Sequence, residues 1–150
     1  MTTRTARCAC GRLEVTVEGE PIAVLMCHCD ACQKRSGSVF AVNAQFAPEQ
    51  IVEIKGEDTT FNGLKLDGVG VAGSDTIGLD FHFCPTCGST VYRMMEGDPP
   101  PFFAIGVGNF VDADFPGPVV EVYSGMRHHW VSPVATAAQF DTFPGAEGQA

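Results

Sequence analysis

Leu13, Val15 and Val17 alternate with polar residues in RLEVTVEGE, the period-2 pattern of a half-buried strand, closed by Gly19 and Pro21. Ile22 to Met26 is a short apolar run leading directly into CHCDAC, residues 27–32. Similar patterning predicts strands over Ser38–Ala44, Ile51–Lys55, Thr76–Phe83, Thr90–Met94, Phe102–Val107 and Val119–Tyr123. Turn chemistry punctuates them: Asn62–Gly63, Asp67–Gly68, the Asp98–Pro101 run DPPP and FPGP at Phe115–Pro118. No window carries a long 3.6-residue period. Only DACQKRSG suggests helix, one turn stopped at Gly37. The expectation is a mainly β chain folded as one layered or tent-like domain.

Composition narrows this picture. The chain has 150 residues, 45% of them hydrophobic and 18% charged, which suits one globular domain with its own core. Seventeen glycines and ten prolines fit many turns and short strands. No apolar run reaches the ~18 residues a membrane span needs. The opening MTTRTARCACGRLEV contains no apolar stretch of a secretory signal, so a cytoplasmic, reducing location is expected. The net charge of −9 argues against nucleic acid or anionic membranes as partners, because both attract a cationic face. If seven thiolates hold two divalent ions the charge falls to about −12, so an anionic substrate would need local cations.

The chemistry lies in seven cysteines, grouped as Cys8 and Cys10 (CAC), Cys27, Cys29 and Cys32 (CHCDAC), and Cys84 and Cys87 (CPTC). An odd number in a reducing compartment argues against a disulfide framework and for metal. CPTCG has the form of a zinc knuckle, two thiolates on a tight turn followed by Gly88. A knuckle needs two further ligands, and CACG is the other two-ligand cluster, also followed by glycine. Two plus two closes a tetrahedron that clips the start of the chain to its middle, and metal affinity then adds to folding free energy.

CHCDAC is left with three donors. Three protein ligands and an open fourth position define a catalytic or substrate-binding zinc. With three thiolates the site carries a net charge of −1, a weak Lewis acid suited to holding a fourth, soft sulfur ligand as thiolate. The alternative is a second structural site. His28 sits between two ligands and points the other way on extended backbone, but His82, His128 or His129 could close the site from a distance. Lys34, Arg35 and Ser36, directly after the triplet, are candidates for gripping an anionic substrate tail. The phenylalanines, Trp130, His128 and His129 read as structural.

Taken together, CACG, CHCDACQKRSGSVF and HFCPTCGSTVY, with GVGNFVDADFPGP and YSGMRHHWV, resemble the glutathione-dependent formaldehyde-activating enzyme family, which includes centromere protein V-like domains. The resemblance spans about residues 8–133. It implies a zinc-bound, mainly antiparallel β-tent (Mss-four-like) domain with short helical turns. It assigns Cys8, Cys10, Cys84 and Cys87 to a structural zinc and Cys27, Cys29 and Cys32 to a catalytic zinc. The implied activity is that of a carbon–sulfur lyase, joining formaldehyde and glutathione reversibly as S-hydroxymethylglutathione. A second reading is a non-catalytic zinc module that binds a thiol metabolite or a protein partner, since fold alone does not decide function.

Overall fold

The computed structural model describes residues 1–63 and 79–144, in which eleven strands surround one short helix. The alternating stretch forms β2 (Glu14–Glu18), paired antiparallel with β1 (Thr3–Arg7) and β5 (Ile51–Lys55) in a three-stranded sheet. A second sheet of eight strands contains β3 (Ala23–Cys27), β4 (Ala41–Phe46), β6 (Thr59–Asn62), β7 (Leu79–Phe83), β8 (Thr90–Met95), β9 (Phe103–Gly106), β10 (Val120–Val122) and β11 (Ala138–Gln139). Its order is β11-β10-β3-β4-β9-β8-β7-β6. The fold is mainly β, as the patterning predicts.

Three details differ from the sequence reading. The pairing is antiparallel except at one end, where β10 runs parallel to both β3 and β11. The strand expected at Ser38 begins at Ala41, because the Ser38 N–H is taken by the Ser36 hydroxyl at 3.1 Å. The expected single helical turn is a seven-residue helix, α1 (Asp30–Ser36), with Asp30 in its first turn and Lys34 and Arg35 in its last, the polarity its dipole favours. The Asp67–Gly68 turn and the first three residues of the strand expected at Thr76–Phe83 lie outside the described residues. Strands β1, β6 and β11 carry no hydrophobic signature of their own and exist through their ladder partners.

Strand alternation gives the eight-stranded sheet two different faces. Val24, Ala44, Ile105 and Tyr92 stand opposite one another across β3, β4, β9 and β8. They pack with Leu13, Val15 and Val17 and with Phe46 and Val91 in the main core between the sheets. The adjacent row, Gln45, Ala104, Arg93, Phe81 and Phe61, alternates to the other face. Among the described residues that face carries no second sheet. It lines a cavity of about 690 Å³, with α1 along one side.

Close backbone approach ties the smaller sheet to the β1–β2 turn. Gly56 follows β5 with φ of 95°, and a Cβ there would stand 1.8 Å from the Arg12 carbonyl oxygen. Gly56→Ala combines left-handed strain with a clash against backbone that has no rotamer to escape into. It should lower unfolding free energy by at least about 2 kcal/mol in urea titrations of the metal-saturated protein.

Candidate metal centres and the adjoining pocket

Two hairpin turns build the first sulfur cluster. Cys8 and Cys10 lie in the β1–β2 turn, Cys84 and Cys87 in the β7–β8 turn. The turns share one construction. The Cys8 N–H donates to the Leu13 carbonyl and the Cys84 N–H to the Ser89 carbonyl, both at 3.0 Å. Gly11 and Gly88 each donate back to the first cysteine's carbonyl, and both adopt φ of 76°, a left-handed conformation that glycine takes without a Cβ penalty. The Ala9 N–H reaches across to the Ser89 hydroxyl at 3.0 Å, fixing one turn on the other.

All seven cysteines are free of disulfides. The four sulfurs of this cluster lie within 4.8 Å of one another. Cys10 Sγ is 3.6 Å from Cys8 Sγ and 3.7 Å from Cys84 Sγ. A tetrahedron with ~2.3 Å zinc–sulfur bonds has an edge of ~3.8 Å. The spacing is therefore that of four thiolates around one ion and far too long for covalent sulfur–sulfur bonds. The Leu13 N–H donates to Cys8 Sγ at 3.2 Å, and the Ser89 hydroxyl beside Cys87 holds that thiol down to about 5. Both contacts favour the thiolate form a metal needs.

The second cluster uses the passage from strand to helix. Cys27 ends β3, Cys29 caps α1, and Cys32 sits in its first turn, with the Cys32 N–H donating to Cys29 Sγ at 3.3 Å. Their sulfurs also lie within 4.8 Å of one another. Among the described residues no histidine, carboxylate or further cysteine joins them. Without a cation the three thiols cannot all ionise. Hydrogen bonding to Cys29, then to Cys32, together with burial, pushes Cys27 upward, while hydrogen bonds from Cys27, then Cys32, draw Cys29 down. One thiolate accepting from crowded thiols is the electrostatic arrangement a divalent ion resolves.

Three of the four histidines are otherwise engaged, and the fourth, His129, is exposed and does not join the cluster. His28 is fully buried with its Nε2 2.8 Å from Glu121 Oε1, and its backbone N–H donates to the Val122 carbonyl. His82 Nδ1 meets Asp58 at 2.6 Å and stacks on Tyr92. His128 Nε2 meets Gln33 Oε1 at 2.9 Å, and the Gln33 amide donates to the His28 carbonyl.

Both Arg35 and Ser36 line the cavity; Lys34 does not, being exposed and turned to Asp30 at 3.4 Å. Ser36 donates to the Cys32 carbonyl at 2.8 Å. Three residues that sequence reasoning did not single out also matter. Glu121, fully buried, accepts from Arg127, the Val134 N–H and Gln139 as well as facing His28. Tyr123 adopts φ of 55°, strained for a bulky residue, and lines the cavity beside the triplet. Burial, then the charge of Cys29, Cys27 and Cys32, raises its phenol pKa. Arg93 faces the same cavity from β8. The only sequence-level signal was a lone carboxylate in the apolar run VVEVY.

Fold and site thus define a small β protein with two cysteine clusters, one of four sulfurs and one of three beside a pocket. The profile of the glutathione-dependent formaldehyde-activating enzyme family (GFA) matches residues 3–126, and the chain belongs to that family. Comparison with curated proteins gives no match. No helix among the described residues is long and apolar enough to cross a membrane.

Glu121 generates a prediction. Its bonds to Gln139, His28 and the Val134 N–H, with the charge of Arg127, outweigh burial and hold its carboxyl down to about 2, below the ordinary 4.5. A depressed carboxylate stabilises the fold above its ordinary pKa, and that contribution disappears as pH falls toward the folded value. Glu121→Ala, which strands His28 and Arg127, should cost ~3–5 kcal/mol. The stability gap between wild type and Glu121→Gln should be full above pH 5 and shrink between pH 5 and 2. Paired denaturant titrations across that range would show it.

Proposed function

We propose that the protein is a zinc-dependent enzyme of thiol–aldehyde adduct chemistry, a carbon–sulfur lyase acting reversibly on glutathione plus formaldehyde or a close analogue. The observation that carries this reading is the three-sulfur cluster, with no fourth side-chain ligand among the described residues, opening onto a cavity large enough for a tripeptide. Cys8, Cys10, Cys84 and Cys87 would hold one zinc for architecture; Cys27, Cys29 and Cys32 would hold the other. A zinc ion bound by three thiolates supplies a soft position that keeps a substrate sulfur ionised at neutral pH.

The chain's own residues supply placement. In the forward direction a thiolate attacks the carbonyl carbon; a carbon–sulfur bond forms, the carbonyl π bond breaks, and the oxygen acquires a proton. Tyr123, which packs against the cluster and lines the cavity, would donate to that oxygen. Its phenol is kept protonated by burial and by the adjacent sulfurs. The apolar cavity wall, including Leu25, Phe40 and Val122, limits water at the reacting centre and orients the carbonyl. Arg35 and Ser36 stand where an anionic tail of the substrate would lie.

Exchange spectroscopy of formaldehyde and glutathione at equilibrium tests the reading directly. The protein should raise the interconversion rate above the uncatalysed one, and a rate equal to the protein-free control would remove it. Tyr123→Phe should slow exchange roughly 10²-fold while leaving glutathione affinity unchanged. Metal analysis should find two zinc ions per chain. Glutathione should raise the melting temperature of wild type but not of Cys32→Ala; one zinc per chain, or no such contrast, would favour the non-catalytic module.

A further inference from the structure

The described cations of this acidic chain are unevenly partnered. Arg4, Arg7, Lys34, Lys55 and Arg127 each face a carboxylate within 4.0 Å. Arg12 lies at the structural knuckle, where it donates to the Thr86 hydroxyl. Arg35 and Arg93 have no carboxylate partner among the described residues, and both line the cavity beside the open sulfur cluster.

The two also converge on one aromatic ring. The Arg35 guanidinium carbon stands 4.2 Å from the centroid of Phe81 and 5.1 Å from that of Phe61; the Arg93 guanidinium carbon stands 6.0 Å from Phe81. The placement follows from register. Arg93, Phe81 and Phe61 occupy one row across β8, β7 and β6, and Arg35 reaches that row from the last turn of α1. Arg35 has one hydroxyl partner, Thr90 at 3.3 Å, while its buried Nε has none.

Two unneutralised guanidinium groups, partly desolvated and pressed to one ring, repel each other. Burial and then Arg93 accordingly lower the pKa of Arg35, and the charge of Arg93 also acts on the Cys32 sulfur. Stacking on Phe81 fixes the planes but cannot cancel the charge. An anion can. Planar guanidinium forks match a carboxylate in two-point geometry.

Building on the proposed thiol chemistry, we propose that Arg93 and Arg35 form a carboxylate clamp, so that the substrate is an anionic thiol fixed at two ends. Its sulfur is directed to Cys27, Cys29 and Cys32, and its carboxylate lies between the two guanidinium groups over Phe81. The clamp sets specificity: a thiol without a suitably spaced carboxylate leaves two cations facing each other across an apolar wall. Arg93 is the member that sequence proximity to the triplet does not indicate.

Calorimetric titration of the zinc-loaded protein tests this with two probes, reduced glutathione and glutathione diethyl ester, whose carboxylates are blocked. Wild type should bind the diester ~10- to 100-fold more weakly than glutathione. Arg93→Met should weaken glutathione by the same order and leave the diester unchanged, and Arg93→Lys, which keeps charge but not the fork, should fall between. Arg35→Met should give the same pattern and serves if Arg93→Met does not fold, as judged by zinc content and melting temperature. Equal binding of the two probes by wild type, or equal losses for both in the variants, would overturn the clamp, as would wild type binding neither probe. A background-level exchange rate with the ester contrast intact would remove catalysis and retain the clamp.

Discussion

The hydrogen bond between His28 Nε2 and Glu121 determines how many donors the CHCDAC stretch presents. A histidine between two cysteines is chemically able to ligate zinc. Here its ring is drawn to the opposite side of the backbone and held there by a carboxylate with no solvent exposure. Glu121 in turn accepts from Arg127, the Val134 N–H and Gln139, so the segment after β10 is fastened by the same group that turns His28 away. A buried charge with this many donors is tolerable; stripped of them it would be among the most costly groups in the molecule. The openness of the second cluster is therefore a property of the whole β3–β10–β11 edge.

The eight-stranded sheet divides its labour by alternation. Val24 and Ala44 look into the main core, while Leu25 and Asn43, their immediate neighbours, look into the cavity. Packing on one side fixes strand register, and register then fixes which side chains face the other side. Arg93 meets Phe81 and Arg35 because Tyr92, next to it, is anchored in the core. The pocket thus has a rigid floor assembled from residues that a one-position slip would exchange for apolar core residues. The β1–β2 and β7–β8 turns meet through the Ala9–Ser89 hydrogen bond and the four-sulfur cluster, which joins the two sheets at that end.

Much of this was legible in the sequence, for local reasons. CACG and CPTCG announce metal-binding turns because the chemistry is contained in four or five residues, and the division of seven sulfurs into four and three follows from counting. Strands such as Ile51–Lys55 and Thr90–Met94 were visible through their own patterning, the second ending one residue later in the structure. Strands β1, β6 and β11 were not, since TRTAR, TTFN and AQ become strands by pairing with a neighbour. The parallel placement of β10 was hidden for the same reason. Glu121 was hidden because its partner lies 93 residues away. Lys34 and Arg35 were indistinguishable as a pair of adjacent cations, yet helix geometry sends one to Asp30 and the other onto Phe81. Arg93 was one polar position in a strand until the sheet placed it beside them.

The contact between Cys10 and Cys84 joins residues 74 apart. At ~5–20 residues per second of ribosomal synthesis, the first turn leaves the exit tunnel several seconds before its partner. Throughout that interval two thiols, Cys8 and Cys10, stand without the two sulfurs they meet in the folded chain, open to oxidants. A chain that closes this cluster around an ion would therefore gain from a reducing surround for as long as the loop between its two turns takes to emerge.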